Sequence, residues 1–216
     1  MMKIALVQIN PVIGDFEHQC QCMIAYAEQA KDRGCDLIIF PELAVCGYPP
    51  RDLLEQKAFI DANQSALEHL VNAIGGIGVV AGFVAPNPDG LGKALFNSAV
   101  LFEDGRVLHQ VNKQLLPTYD VFDEHRHFEP GQPCPPFAYK GRRLGLTICE
   151  DVWNDKDVFD HRLYSFDPVD RLAQAGMDLL INISASPFHK GKIDFRDHML
   201  STIAAKYRLP VVFVNQ

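Results

Sequence analysis

The chain has no apolar run near the roughly 20 residues that a membrane helix needs. It has no dense Lys/Arg cluster either, and 20 basic residues against 27 acidic ones leave a net charge of −7. Nucleic acid and anionic membranes are therefore poor partners. The six cysteines include no pair at zinc-knuckle spacing: Cys20-Gln21-Cys22 is one residue short and has no second pair beside it. Cys20 falls on the apolar face of a helical pattern, which is a packing position. No His pair stands at ligand spacing, so no metal is expected. The start, "MMKIALVQIN", lacks the order of a signal peptide, so a cytoplasmic chain with free thiols is expected. Repeats, low-complexity segments and linkers are also missing. With 48% hydrophobic residues over 216 positions, the chain reads as one folded domain, residues 1–216.

The hydrophobic pattern alternates between two periods. "KIALVQI" (3–9) and "DLIIF" (36–40) read as strands, with a helix over 16–33 between them and Gly34 as its stop. A second helix covers 57–74. Strands follow at 77–85, 96–102 and 106–112, then at 137–140, 143–148 and 178–184, and at the chain's end over "PVVFVNQ". Helices are predicted over 168–176 and 194–208. Residues 114–136 show no period and are rich in charge, aromatics and proline; loops of that length in a compact domain are usually functional. The class is α/β, with helices covering sheets.

In α/β sheets, ligands bind beyond the carboxyl ends of strands. Glu42 follows "DLIIF", Lys113 follows "RVLHQVN", Cys149 follows "RLGLTI", and Ser184 and Ser186 follow "DLLINI". Adjacent strands would bring an acid, a base, a thiol and hydroxyls to one crevice. A thiol attacks as thiolate, and an unperturbed cysteine has a pKa of about 8.5. Glu42 could take its proton as attack proceeds. Lys113 and backbone N–H groups after Cys149 could stabilise the oxyanion formed from an amide carbonyl. The product would be a thioester, with ammonia released. Taken singly, each residue has a plainer reading: a loop carboxylate, a strand-end lysine, a buried structural thiol.

Three segments carry a resemblance. "FPELAVCGYPPRDLL", "NKQLLPTYDVFDEHRHFEPG" and "LTICEDVW" resemble the Glu, Lys and Cys motifs of the nitrilase superfamily, in family order. The finer likeness, which includes "NISASPFHKGK", is to the glutaminase domain of glutamine-dependent NAD synthetases. This resemblance implies a nitrilase-like four-layer α-β-β-α sandwich, with Glu42 as base, Lys113 as oxyanion cation and Cys149 as nucleophile. It implies that Tyr119, Glu150 and Trp153 line a glutamine site, and that Ser184 or Ser186, with Lys190, meets the glutamine's α-substituents. Loop packing is the plain alternative for Tyr119 and Trp153. Asp120, Asp123, Glu124 and Arg126 add charge beside Lys113, and Glu124 could hold that lysine or orient a water.

The resemblance further implies no cofactor in this domain. ATP and Mg²⁺ would serve an ATP-dependent NAD synthetase domain that receives the ammonia and is absent from this sequence. It also implies homo-oligomers. Nitrilase domains continue past the strand matching "VVFVNQ", so a fold truncated at its C-terminal end is expected. Two rivals stand beside the glutaminase: a stand-alone amidase for another small amide, and an inactive interaction domain.

Overall fold

Strand β2 (Leu37–Ile39) is buried on both faces, and its residues show why the chain forms layers. Successive side chains of a strand point to opposite faces. Ile38 packs with Val79 and Ala81 against helical residues Met23, Ala27 and Leu70. Leu37 and Ile39 pack the other way, against Leu146, Ile148 and Ile181 of a second sheet. The computed structural model, which describes residues 2–216, accordingly has four layers, α-β-β-α.

The first sheet has the order β1-β2-β3-β4-β5, with β1 at Ile4–Leu6, β3 at Gly78–Pro86, β4 at Leu95–Glu103 and β5 at Arg106–Asn112. Its first three strands run parallel, and β3, β4 and β5 pair antiparallel. Helices α1 (Phe16–Asp32) and α2 (Lys57–Ala73) cover its outer face. Asp15 caps α1 by accepting from His18 N at 3.3 Å, and Gly34 ends the turn after it at φ +69°. After the one-turn helix α3 (Glu124–His127), the second sheet has the order β6-β7-β8-β9: Phe137–Tyr139, Arg142–Ile148, Leu179–Ser184 and Val211–Asn215. Helices α4 (Pro168–Gln174) and α5 (Lys192–Tyr207) close its outer face through Val169, Leu172, Met199 and Ile203. Among the described residues, no helix is long and apolar enough to cross a membrane.

Most predicted elements lie within two residues of the observed ones. The first strand is shorter than "KIALVQI" suggests. Strand β1 is an edge whose one partner, β2, is three residues long, so the ladder has little to extend along. The aperiodic stretch 114–136 contains the turn α3 and a bridge from Phe128 to Leu95.

Gly82 on β3 has a steric duty. The chain after β2 folds back across it: Val45 N donates to Gly82 O at 3.1 Å and Gly82 N to Pro41 O at 3.3 Å. A Cβ at this position would run into Leu43 N and the Glu42 backbone. Gly82→Ala should therefore cost about 1–3 kcal/mol. Thermal denaturation should show this as a Tm lower by roughly 2–4 °C per kcal/mol for a domain of this size.

Candidate active site

Glu42, Lys113 and Cys149 do converge, though not from neighbouring strands of one sheet. Strands β2 and β5 are separated by β3 and β4, and Cys149 and Ser184 belong to the other sheet. The fold-back across Gly82 carries Glu42 toward β4. There Asn97, a polar residue inside the apolar strand "LFNSAVLF", spans the gap. Its Nδ2 donates to Glu42 Oε1 at 2.8 Å, and its carbonyl accepts from Lys113 N at 2.8 Å. Gly131 closes on the far side, where a Cβ would meet the Asn112 carbonyl.

Lys113 is fully buried with both carboxylates of its cage. Its Nζ donates to Glu42 Oε1 and to Glu124 Oε1, each at 2.8 Å. Tyr48 OH also donates to Glu124 Oε1, at 2.8 Å, and Ala185 N donates to Glu42 Oε2 at 2.9 Å. Burial alone would discharge the lysine, but Glu124 and Glu42 outweigh it and hold its pKa well above the ordinary value. Burial raises Glu124 above the usual carboxylate range, and the Lys113 charge pulls it back.

Cys149 opens a short 3-10 turn, Cys149–Val152, directly after β7. Its φ of +43° lies in the left-handed region that non-glycine residues seldom adopt, a cost often concentrated at functional sites. Asp151 secures the turn. Its Oδ1 accepts from Gln114 N and Leu115 N at 2.9 Å, and its Oδ2 accepts from Ile148 N at 3.0 Å. One carboxylate thus ties the turn of the thiol to the residues that follow Lys113, and burial pushes its pKa up to about 7. The thiol itself is 3% exposed. Burial and the Glu42 charge raise its pKa, against the pull of Lys113 and the Ser184 hydroxyl. At rest it is protonated.

The remaining predicted residues fall into two groups. Tyr119 OH donates to both oxygens of Glu150 at 2.8 and 2.9 Å, and Tyr164 OH adds a third bond at 3.2 Å. Burial raises the Glu150 pKa and these phenols lower it. Ser184 is buried at the end of β8, and its Oγ accepts from Ser186 N at 3.3 Å. Ser186 lines an open cavity of about 580 Å³ together with Lys192, Arg196, Asn215 and Gln216. Trp153 stacks on Phe195 with centroids 5.9 Å apart, and Lys192 Nζ sits 5.2 Å over its ring. Lys190 points into solvent and is not among the cavity-lining residues; Arg51, Lys192 and Arg196 are the cations there. Burial lowers the pKa of Lys192 and Arg196, and a thiolate at Cys149 would raise both again.

Sequence reasoning did not single out Asn97, Asp151, Tyr164, Lys192 or Arg196. Only Asn97 carried a signal, as an amide within an apolar strand. Among the described residues, no group of three or more His, Cys, Asp or Glu side chains is placed to hold a metal ion.

The sequence profile described as carbon-nitrogen hydrolase matches residues 3–216. The chain belongs to the carbon-nitrogen hydrolase family. Within that family it is 40% identical over 220 residues to a glutamine-dependent NAD(+) synthetase of Synechocystis, covering 100% of this chain and 39% of the relative. It superposes on the glutamine-dependent NAD+ synthetase of Acinetobacter baumannii with a TM-score of 0.89 and 40% identity, covering 100% of this chain and 38% of that one. A Nesterenkonia amidase gives a TM-score of 0.80 at 27% identity, with 99% of this chain and 75% of that one covered. The chain thus spans under two-fifths of the synthetases it matches.

Lys113→Met should lower stability by about 3–5 kcal/mol, because it leaves two carboxylates buried without their cation. The loss has a pH signature. Without Lys113 the already raised pKa of Glu124 rises further, so the folded state binds more protons than the unfolded one above the ordinary Glu value. The Tm of the variant should fall as pH rises from 5 to 8, more steeply than that of the wild type.

Proposed function

We propose that this domain hydrolyses the side-chain amide of glutamine. The observation that carries the reading is the buried Glu42–Lys113 pair acting on the Cys149 thiol, with binding groups of both charge signs beside it. Glu42 takes the thiol proton as Sγ attacks the amide carbon, so thiolate forms only when used. Lys113 faces the charge that develops on the carbonyl oxygen. Glu42 returns the proton to the leaving nitrogen, the C–N bond breaks, and ammonia departs from a Cys149 thioester. Water then gives its proton to Glu42 and attacks the thioester, which releases glutamate and restores the thiol.

Glutamine carries an ammonium and a carboxylate on its α-carbon. Glu150, with its phenols, suits the ammonium, while Lys192 and Arg196 beside Ser186 suit the carboxylate. A neutral small amide offers neither group a partner. The relatives named glutamine-dependent NAD(+) synthetase support the same substrate. In our reading the ammonia passes to an ATP-dependent synthetase that amidates nicotinic acid adenine dinucleotide to NAD. ATP and Mg²⁺ belong to that second reaction, and the hydrolysis described here needs no cofactor. Six unpaired thiols suit a reducing compartment, and we assign the domain to the cytoplasm, as a homo-oligomer.

The test is glutamine hydrolysis followed by ammonia release, beside labelling by a diazo-ketone analogue of glutamine. We expect one adduct, on Cys149, and none on the other five thiols. Glu42→Gln should lower hydrolysis about 10²–10⁴-fold, the range for a positioned acid–base group. Labelling spread over all six cysteines, with no glutamine turnover, would refute the reading.

A further inference from the structure

The segment 153–167 between the nucleophile's turn and α4 contains no α-helix or strand, yet it is closely held. Asn154, fully buried, folds it on itself: Nδ2 donates to the carbonyls of Tyr164 and Phe166, and Oδ1 accepts from Tyr164 N at 3.4 Å. Lys206 of α5 clamps the near side through Asp155 at 3.0 Å and Asp157 at 2.7 Å. On the far side Arg171 lies 4.4 Å over the Phe166 ring, and Asp167 caps α4. Between these anchors the neighbours His161, Arg162 and Leu163 are exposed, while Tyr164 turns inward and its hydroxyl reaches Glu150 Oε1 at 3.2 Å.

We infer that Tyr164 is a positioning residue for substrate choice: it holds the Glu150 carboxylate fixed so that the site favours amides carrying an α-ammonium group. The inference rests on the glutamine reading above. Tyr119 bridges both Glu150 oxygens from one side, but it is 42% exposed and stands on the loop that follows Lys113. A carboxylate held by one phenol keeps freedom to turn about that contact, and a second donor from another direction removes it. Hydrogen bonds to the anion also favour the anion. Loss of the Tyr164 hydroxyl would leave Glu150 less fixed and more easily protonated, and so a poorer partner for a cation. The chemistry at Cys149 does not pass through this contact, so the effect falls on binding of the α-ammonium group.

Tyr164→Phe removes the hydroxyl and keeps the ring. For glutamine, KM should rise roughly tenfold, the size of one hydrogen bond to a charged group. The acid limb of kcat/KM should move to higher pH. The ratio of kcat/KM for glutamine to that for propionamide, which has no α-ammonium, should fall by the same factor. Equal losses on both substrates, or an unmoved KM and acid limb in a variant made from a glutamine-hydrolysing wild type, would overturn this inference alone. A wild type that leaves glutamine intact would overturn the glutamine reading, and this inference with it.

Discussion

The ammonium of Lys113 is the charge around which the site is built. It lies out of water between Glu42 and Glu124, each 2.8 Å away. A lone buried ammonium would lose its proton, and two buried carboxylates would take one up. The two carboxylates outweigh burial and keep the cation charged. Burial, and after it the Glu42 charge, keep the proton on the Cys149 sulfur. A permanently ionised thiolate would need a different cage, with the cation dominant.

Much of the fold was legible because it rests on periods. Strands such as β3 and β8, buried on both faces, read as continuous apolar runs, and α1 and α2 carry their stripes at helical spacing. The strand ends were legible too, since Glu42, Lys113 and Cys149 each break an apolar run with a reactive group. The route by which they meet was not. A strand's sequence does not say which sheet it joins, and the fold-back across Gly82 is a property of two distant segments. The shared crevice inferred from adjacent strands is in fact the rim between two facing sheets.

The cations of the cavity show a finer limit. "HKGK" holds two lysines two residues apart. Lys190 precedes Gly191, whose φ of +82° turns the chain into α5, and Lys192 is the first helical residue. Which of the two faces the cavity depends on that turn. Asp151 and Tyr164 were hidden for the same reason. An acid two residues after a thiol and a tyrosine in an irregular loop have no period to mark them, and the site partners Gln114 and Leu115 of Asp151 and Glu150 of Tyr164 lie 14 to 37 residues away in sequence.

The carboxylate and ammonium ride on one sheet and the thiol on the other. Between the sheets lies an apolar layer of Leu37, Ile39, Val80, Leu146, Ile148 and Ile181, whose dispersion contacts resist separation but set no unique sliding position. The polar rim supplies that setting: Ala185 N on Glu42 and the Asp151 carboxylate on Gln114 and Leu115 cross from sheet to sheet. These polar groups and their supports therefore act as a locating pin for the sandwich. Shear between the two halves of the molecule and misalignment of the Cys149 thiol and the Glu42 carboxylate are the same displacement, seen at two scales.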